Sequence, residues 1–122
     1  DAAHLEGDGG RWLNMIHRDD VAGCILAALQ NGRPGEIYNA ADDEPVSQRH
    51  FFEWLAQVLN KPLPPSLPES PGAARRRGVT HKQVSNRKLK QELRYRFQYP
   101  TFREGYGSEL MRLGHAKIKS IT

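Results

Sequence analysis

Arg11-Trp12-Leu13-Asn14-Met15-Ile16-His17-Arg18-Asp19-Asp20-Val21-Ala22-Gly23 is the stretch on which the reading of the fold turns. Trp12, Met15 and Ile16 read as a brief extended segment. From Val21 the apolar residues recur at Ile25, Ala28 and Leu29, the spacing of one helical face. Asp19 or Asp20 is expected to cap that helix by accepting its first amides, and their charge also suits the positive end of the helix dipole. Asn31-Gly32 is expected to end it in a left-handed turn.

Outward from this junction the chain alternates short elements. Residues 1–10 are small and polar and read as a loose lead-in. After the first helix, Arg33-Pro34-Gly35 makes a turn. Glu36-Ile37-Tyr38-Asn39-Ala40 has the β-branched and aromatic character of a short strand, followed by a polar loop from Asp42 to Pro45. Ser47 is placed to cap a second helix, with Val46 and Phe51 as a hydrophobic staple and Phe51, Leu55, Val58 and Leu59 on its apolar face, ending near Asn60. Residues 61–72 are too rich in proline for helix or central strand and form an extended connection. Ser85 is expected to cap a short helix ending near Leu93, with Val84 against Leu89. Tyr95 to Tyr99 alternates as a strand or extended edge. Thr101-Phe102-Arg103-Glu104 is a capping box, and Phe102, Tyr106, Leu110 and Leu113 are expected along one face of a final helix. Residues 114–122 read as a basic tail.

The string Asn14-x-Ile16-His17-Arg18-Asp19-Asp20-Val21-Ala22, followed by Gly35-Glu36-Ile37-Tyr38-Asn39-Ala40-Ala41-Asp42, resembles the C-terminal half of extended short-chain dehydrogenase/reductase proteins, the NAD-dependent epimerase/dehydratase family. The likeness runs on to about Gly105. It implies an α/β fold that is an incomplete, C-terminal portion of a Rossmann-type enzyme, with residues 11–113 as the substrate-binding portion. The parent it implies uses NAD or NADP, and its sheet is completed by a Rossmann portion upstream of Asp1. By the same resemblance Asn14 and His17 lie where the family's chain passes the substrate cleft, and Asp20 ties the helix start to that turn. Arg75, Arg76 and Arg77 lie where such enzymes bring a phosphate-reading arginine into the cleft after a proline-rich loop; an Arg fork suits phosphate or carboxylate. Nucleotide-sugar members carry an Arg four residues before the His. Here that place is Leu13, which cannot neutralise a diphosphate.

The composition bounds these implications. A chain of 122 residues holds one small core. Its start at Asp1 without Met suggests an excised fragment. It has neither an apolar run long enough for a bilayer nor a basic-then-apolar leader, so a cytoplasmic location without membrane contact is the default expectation. The lone Cys24 reads as a buried small hydrophobe rather than a nucleophile. His17 with Asp19 or Asp20 falls short of the three or four ligands that a metal needs.

The net charge of +4 is unevenly spread: residues 1–61 carry five Lys/Arg against ten Asp/Glu, residues 69–99 nine against two. This basic block raises a rival reading, a nucleic-acid-binding module using residues 75–96. Its interruption by Pro and Gly, and the lack of a groove-reading motif, argue against nucleic acid.

The cofactor chemistry of the resembled family is missing from the sequence. No Gly-x-x-Gly-x-x-Gly follows a strand, and no Tyr has a Lys four positions on. The expected role is therefore binding a small-molecule substrate, with no catalytic or cofactor-binding residue of its own. A third reading is a self-association module, in which apolar helix faces bring two copies together or hold the missing Rossmann portion.

Overall fold

The computed structural model describes residues 3–68 and 81–114. Within them the chain is mixed α/β: β1 (Leu5–Glu6), β2 (Trp12–Leu13), α1 (Arg18–Asn31), β3 (Val46–Ser47), α2 (Gln48–Leu59), β4 (Ser66–Leu67), α3 (Arg87–Leu93) and α4 (Phe102–Arg112). These divide between two units: Asp1–Leu13 with Val46–Gln83, and Asn14–Pro45 with Val84–Thr122.

The first unit holds all four strands. β1 pairs in parallel with β4, Leu5 opposite Ser66, and β2 pairs antiparallel with β3, Trp12 opposite Ser47. Ser47 closes β3 and also caps α2, its Oγ accepting the His50 amide at 3.2 Å. Both staple residues, Val46 and Phe51, are buried, and α2 ends at Asn60 as expected, with that residue in the left-handed conformation. Residues 3–10 are not loose. Leu5 is buried, and the chain beyond it is tied to the start of α2: the Glu6 amide donates to Gln48 Oε1 at 3.0 Å and the Arg49 amide to the Gly9 carbonyl at 2.9 Å. Gly9 has a φ of 74°, and a Cβ there would meet the Arg49 Cβ at 2.9 Å, so glycine is required twice over.

The second unit holds α1, α3 and α4, and its core of Cys24, Ala27, Leu89, Leu93 and Phe97 joins α1, α3 and the extended residue 97. α1 approaches α3 through small residues. Its larger aliphatics, expected to face a core, point the other way: Ile25 is 57% and Leu29 79% exposed, with Val21 and Leu26 also exposed. The 3.6-residue period located a stripe, but residue size decided which stripe is buried, because close helix approach favours Gly, Ala and Cys over Ile and Leu. Gly23 shows this at its limit: a Cβ there would sit 2.2 Å from the Tyr95 hydroxyl.

Both ends of α1 also differ from expectation. Neither Asp19 nor Asp20 caps it; His17 does, its Nδ1 accepting the Asp19 amide at 3.1 Å. Gly32 is extended (φ −70°), not left-handed. Glycine is needed there because a Cβ would lie 2.4 Å from the Ala28 carbonyl oxygen, which accepts the Gly32 amide.

Two expected strands are extended segments without a ladder among the described residues. Residues 36–40 are held by side chains, with Lys88 Nζ donating to the Ile37 carbonyl at 3.0 Å. In residues 95–99 a carboxylate takes the place of a neighbouring strand, as described below. α3 starts one residue later than expected. Asn86 is at its cap position but spends its amide on the Ala41 carbonyl and Asp43, while Ser85 Oγ accepts the Arg87 amide at 3.2 Å. α4 opens with the expected capping box at Thr101 and Glu104. Its buried face is Phe102, Gly105 and Gly107, while Tyr106 and Leu113 are exposed.

Candidate functional site

Where the extended residues 14–17 run into α1, they meet the Ala41-Asp42 loop and α4 around a cavity of about 560 Å³. Its walls include Asn14, Ile16, His17, Asp42, Phe102 and Glu109, all within the second unit.

His17 is the most constrained side chain in this wall. Its ring is 6% exposed and stacks on Tyr99 with centroids 3.9 Å apart, and the α4 backbone comes close at Gly105, where a Cβ would be 3.6 Å from the ring. Because Nδ1 accepts a backbone amide, the proton of the neutral ring belongs on Nε2; the tautomer follows from the bond. That Nε2 is buried and makes no hydrogen bond; the nearest carboxylate oxygen, Glu109 Oε1, is 3.4 Å away. Glu109 is already engaged by Arg18 at 2.9 Å and Arg112 at 2.9 Å, and the Arg112 hydrogen bond, ahead of Arg18, holds its carboxyl below the usual range.

Asp20 lies behind this wall. It is fully buried and accepts three hydrogen bonds: the Tyr95 hydroxyl at 2.6 Å and the Gln98 amide at 2.8 Å on Oδ1, and the Tyr99 amide at 2.9 Å on Oδ2. One carboxylate thus satisfies a strand-like segment that has no strand beside it among the described residues, and fixes the residue that stacks on His17. Burial and this hydrogen bond push the Tyr95 phenol well up, and burial, with Asp20 beside it, raises the Cys24 thiol. Asp20 was expected to tie the helix start to the turn at residues 14–17; its hydrogen bonds instead tie it to residues 95–99.

Asp42 was not singled out from the sequence. It is 4% exposed, its amide donates to the Met15 carbonyl at 2.6 Å, and Oδ1 accepts the Glu44 amide at 3.0 Å. Oδ2 has no hydrogen-bond partner among the described residues. Burial pushes its carboxyl up to about 6, with Glu44, Asp43 and Glu104 adding to the rise against the Glu44 amide.

Of the expected binding residues, Asn14 and His17 meet at this cavity; Asn14 Oδ1 accepts the Val84 amide at 2.8 Å. Asp19 caps nothing and holds a half-exposed carboxylate 3.8 Å from Arg18. Arg75, Arg76 and Arg77 lie outside the described residues. Among the described residues no group of three His, Cys, Asp or Glu is gathered as for a metal, and no helix is long and apolar enough to cross a membrane. Glu109 was legible in principle, since it follows Phe102 and Gly105 by seven and four residues on one face of α4. Asp42 carried no periodic signal that set it apart from Asp43 and Glu44.

No family model matches the chain. It is similar to Protein YeeZ of Escherichia coli K12, at 28% identity over 93 residues, 76% of this chain and 32% of that protein. The Epimerase family protein YfhF of Bacillus subtilis strain 168 is 32% identical over 63 residues, 52% of this chain and 21% of its own. The chain therefore spans about a third or less of these relatives. Among solved structures, a conserved protein of unknown function from Silicibacter pomeroyi superposes with a TM-score of 0.78 at 28% identity, covering 92% of this chain and 42% of that one. The dTDP-glucose 4,6-dehydratase of Bacillus anthracis, solved with NAD, gives 0.73 at 20% identity, covering 95% and 35%. That of Streptomyces venezuelae, also with NAD, gives 0.72 at 23%, covering 99% and 37%. The fold is thus that of a part of these Rossmann-type dehydratases.

Proposed function

We propose that these residues form the substrate-binding portion of an NAD(P)-dependent epimerase, dehydratase or reductase. The observation that carries this reading is the cavity at His17. It brings together the two residues that the family resemblance assigns to the cleft, and its wall holds a buried ring nitrogen whose nearest acceptor, Glu109, is 3.4 Å away.

A nicotinamide cofactor does not fit the described residues. Pyrophosphate sites use free amides at a helix N-terminus. The first turn of α1 carries Asp19 and Asp20, and His17 already takes the Asp19 amide. With no glycine-rich loop and no Tyr-x-x-x-Lys in the sequence, hydride transfer is assigned to a portion supplied from elsewhere. The role of these residues is to bind and orient. Tyr99 and Gly105 hold the His17 ring, the α1 amide sets its tautomer, and Phe102 and Ile16 give the cavity an apolar wall. The exposed Val21, Ile25, Leu26 and Leu29 support a partner over α1, whether the Rossmann portion or a second copy.

Calorimetric titration of the full chain with NAD, NADP and dTDP-glucose tests the reading. Neither cofactor is expected to bind. Saturable micromolar binding of NAD would overturn it.

A further inference from the structure

We propose that Asn31-Gly32 is a modification site, a pair that deamidates when the last turn of α1 opens and whose product unties α1 from α3.

The fold itself asks for both residues. Asn31 is the last residue of α1, and its Nδ2 donates to the Leu93 carbonyl at 3.0 Å. Leu93 ends α3, where an α-helix leaves its carbonyls without a partner of their own. Gly32 follows because a Cβ there would lie 2.4 Å from the Ala28 carbonyl oxygen. The side chain that bridges the two helices is therefore followed by a residue with no side chain to shield its backbone nitrogen. No other asparagine of the chain has this neighbour: Asn14, Asn39, Asn60 and Asn86 precede Met15, Ala40, Lys61 and Arg87.

In the reaction the Gly32 nitrogen gives up its proton and attacks Cγ of Asn31. The new C–N bond forms, the Cγ–Nδ2 bond breaks, and ammonia leaves a succinimide. Water then opens the ring at either carbonyl, giving aspartate or β-linked isoaspartate. The folded chain opposes the first step at both atoms. The Gly32 N–H is held on the Ala28 carbonyl at 2.8 Å, pointing back along α1 rather than at Cγ, and the leaving amide is held on Leu93. Reaction waits on opening of the last turn, the part of a helix that frays most readily.

The product does not restore what it replaces. A carboxylate cannot donate, so the carbonyl of Leu93, a residue 1% exposed, loses its partner. The charge also falls at the C-terminal end of α1, which has no basic residue in its last turn and where the helix dipole disfavours an anion. Arg33, next in the chain, is already engaged by Glu92 and Glu36.

The test is peptide mapping of the full chain after incubation in mildly alkaline buffer, with and without guanidinium chloride, scoring the mass gained as each amide becomes an acid. Asn31 is expected to convert faster than the other four asparagines in denaturant, and at least about tenfold more slowly in the native chain. Urea denaturation of Asn31→Asp at neutral pH reads the consequence, with the folding equilibrium constant expected to fall about tenfold. Equal rates with and without denaturant would overturn the gating, and no preference for Asn31 in denaturant would overturn the site. An Asn31→Asp chain as stable as wild type would overturn the untying of α1 from α3.

Discussion

Asp20 and Asp42 are two buried carboxylates in one unit, 0% and 4% exposed, and they are treated in opposite ways. Asp20 is given three donors and does the work of an absent strand. Asp42 is given one donor and acidic neighbours, and burial raises its carboxyl to about 6. A buried acid with its bonds complete is held as part of the fold, whereas one with a single donor among acidic neighbours keeps its proton to a higher pH.

Breaking the Asp20 side should have the largest effect. Asp20→Ala leaves a hydroxyl and two amides without an acceptor inside the unit, and is expected to cost about 3–5 kcal/mol in urea denaturation. A loss below about 1 kcal/mol would mean that residues 95–99 hold their place without it.

Asp42 should behave in the opposite sense. Its folded pKa lies above the unfolded value of 3.8, so folding is favoured by the protonated form. Its contribution is fully present below pH 3.8 and is lost as pH rises through about 6. The stability difference between Asp42→Asn and wild type should therefore shift in favour of the variant by about 3 kcal/mol between pH 3 and pH 7.5. A flat difference across that range would show that Asp42 is not desolvated.

Gly23→Ala sharpens the Asp20 side more gently. The added methyl meets the Tyr95 hydroxyl that donates to Asp20, so the usual gain of alanine over glycine in a helix should be reversed to a net loss of about 1–3 kcal/mol. Loss of the near-ultraviolet signal of Tyr95 relative to Gly23→Ala/Tyr95→Phe would localise the clash. The smallest effect is expected at Ile25→Asp, within about 0.5 kcal/mol, because Ile25 is exposed. Sedimentation should show the same variant losing any self-association that wild type has.

Caps and staples with a local signature were readable in the sequence. Ser47 with Val46 and Phe51, the Thr101–Glu104 box and the stop at Asn60 depend on residues within a turn of one another. What escaped depended on partners distant in the chain. Nothing local distinguishes Asp20, which bonds residues 75 to 79 positions away, from Asp19, which faces water. The buried face of α1 was misassigned because periodicity ranks apolarity, while packing against α3 selected small side chains. At the site, Asn14 and His17 came from a family resemblance. Asp42 joined them only through a backbone bond to Met15.

The most direct measurement is carbon-detected titration of the Asp42 carboxyl in the full chain. The expected midpoint is near 6, because burial among acidic neighbours holds the carboxyl above its ordinary range. A midpoint in the ordinary carboxylate range near 4 would contradict it.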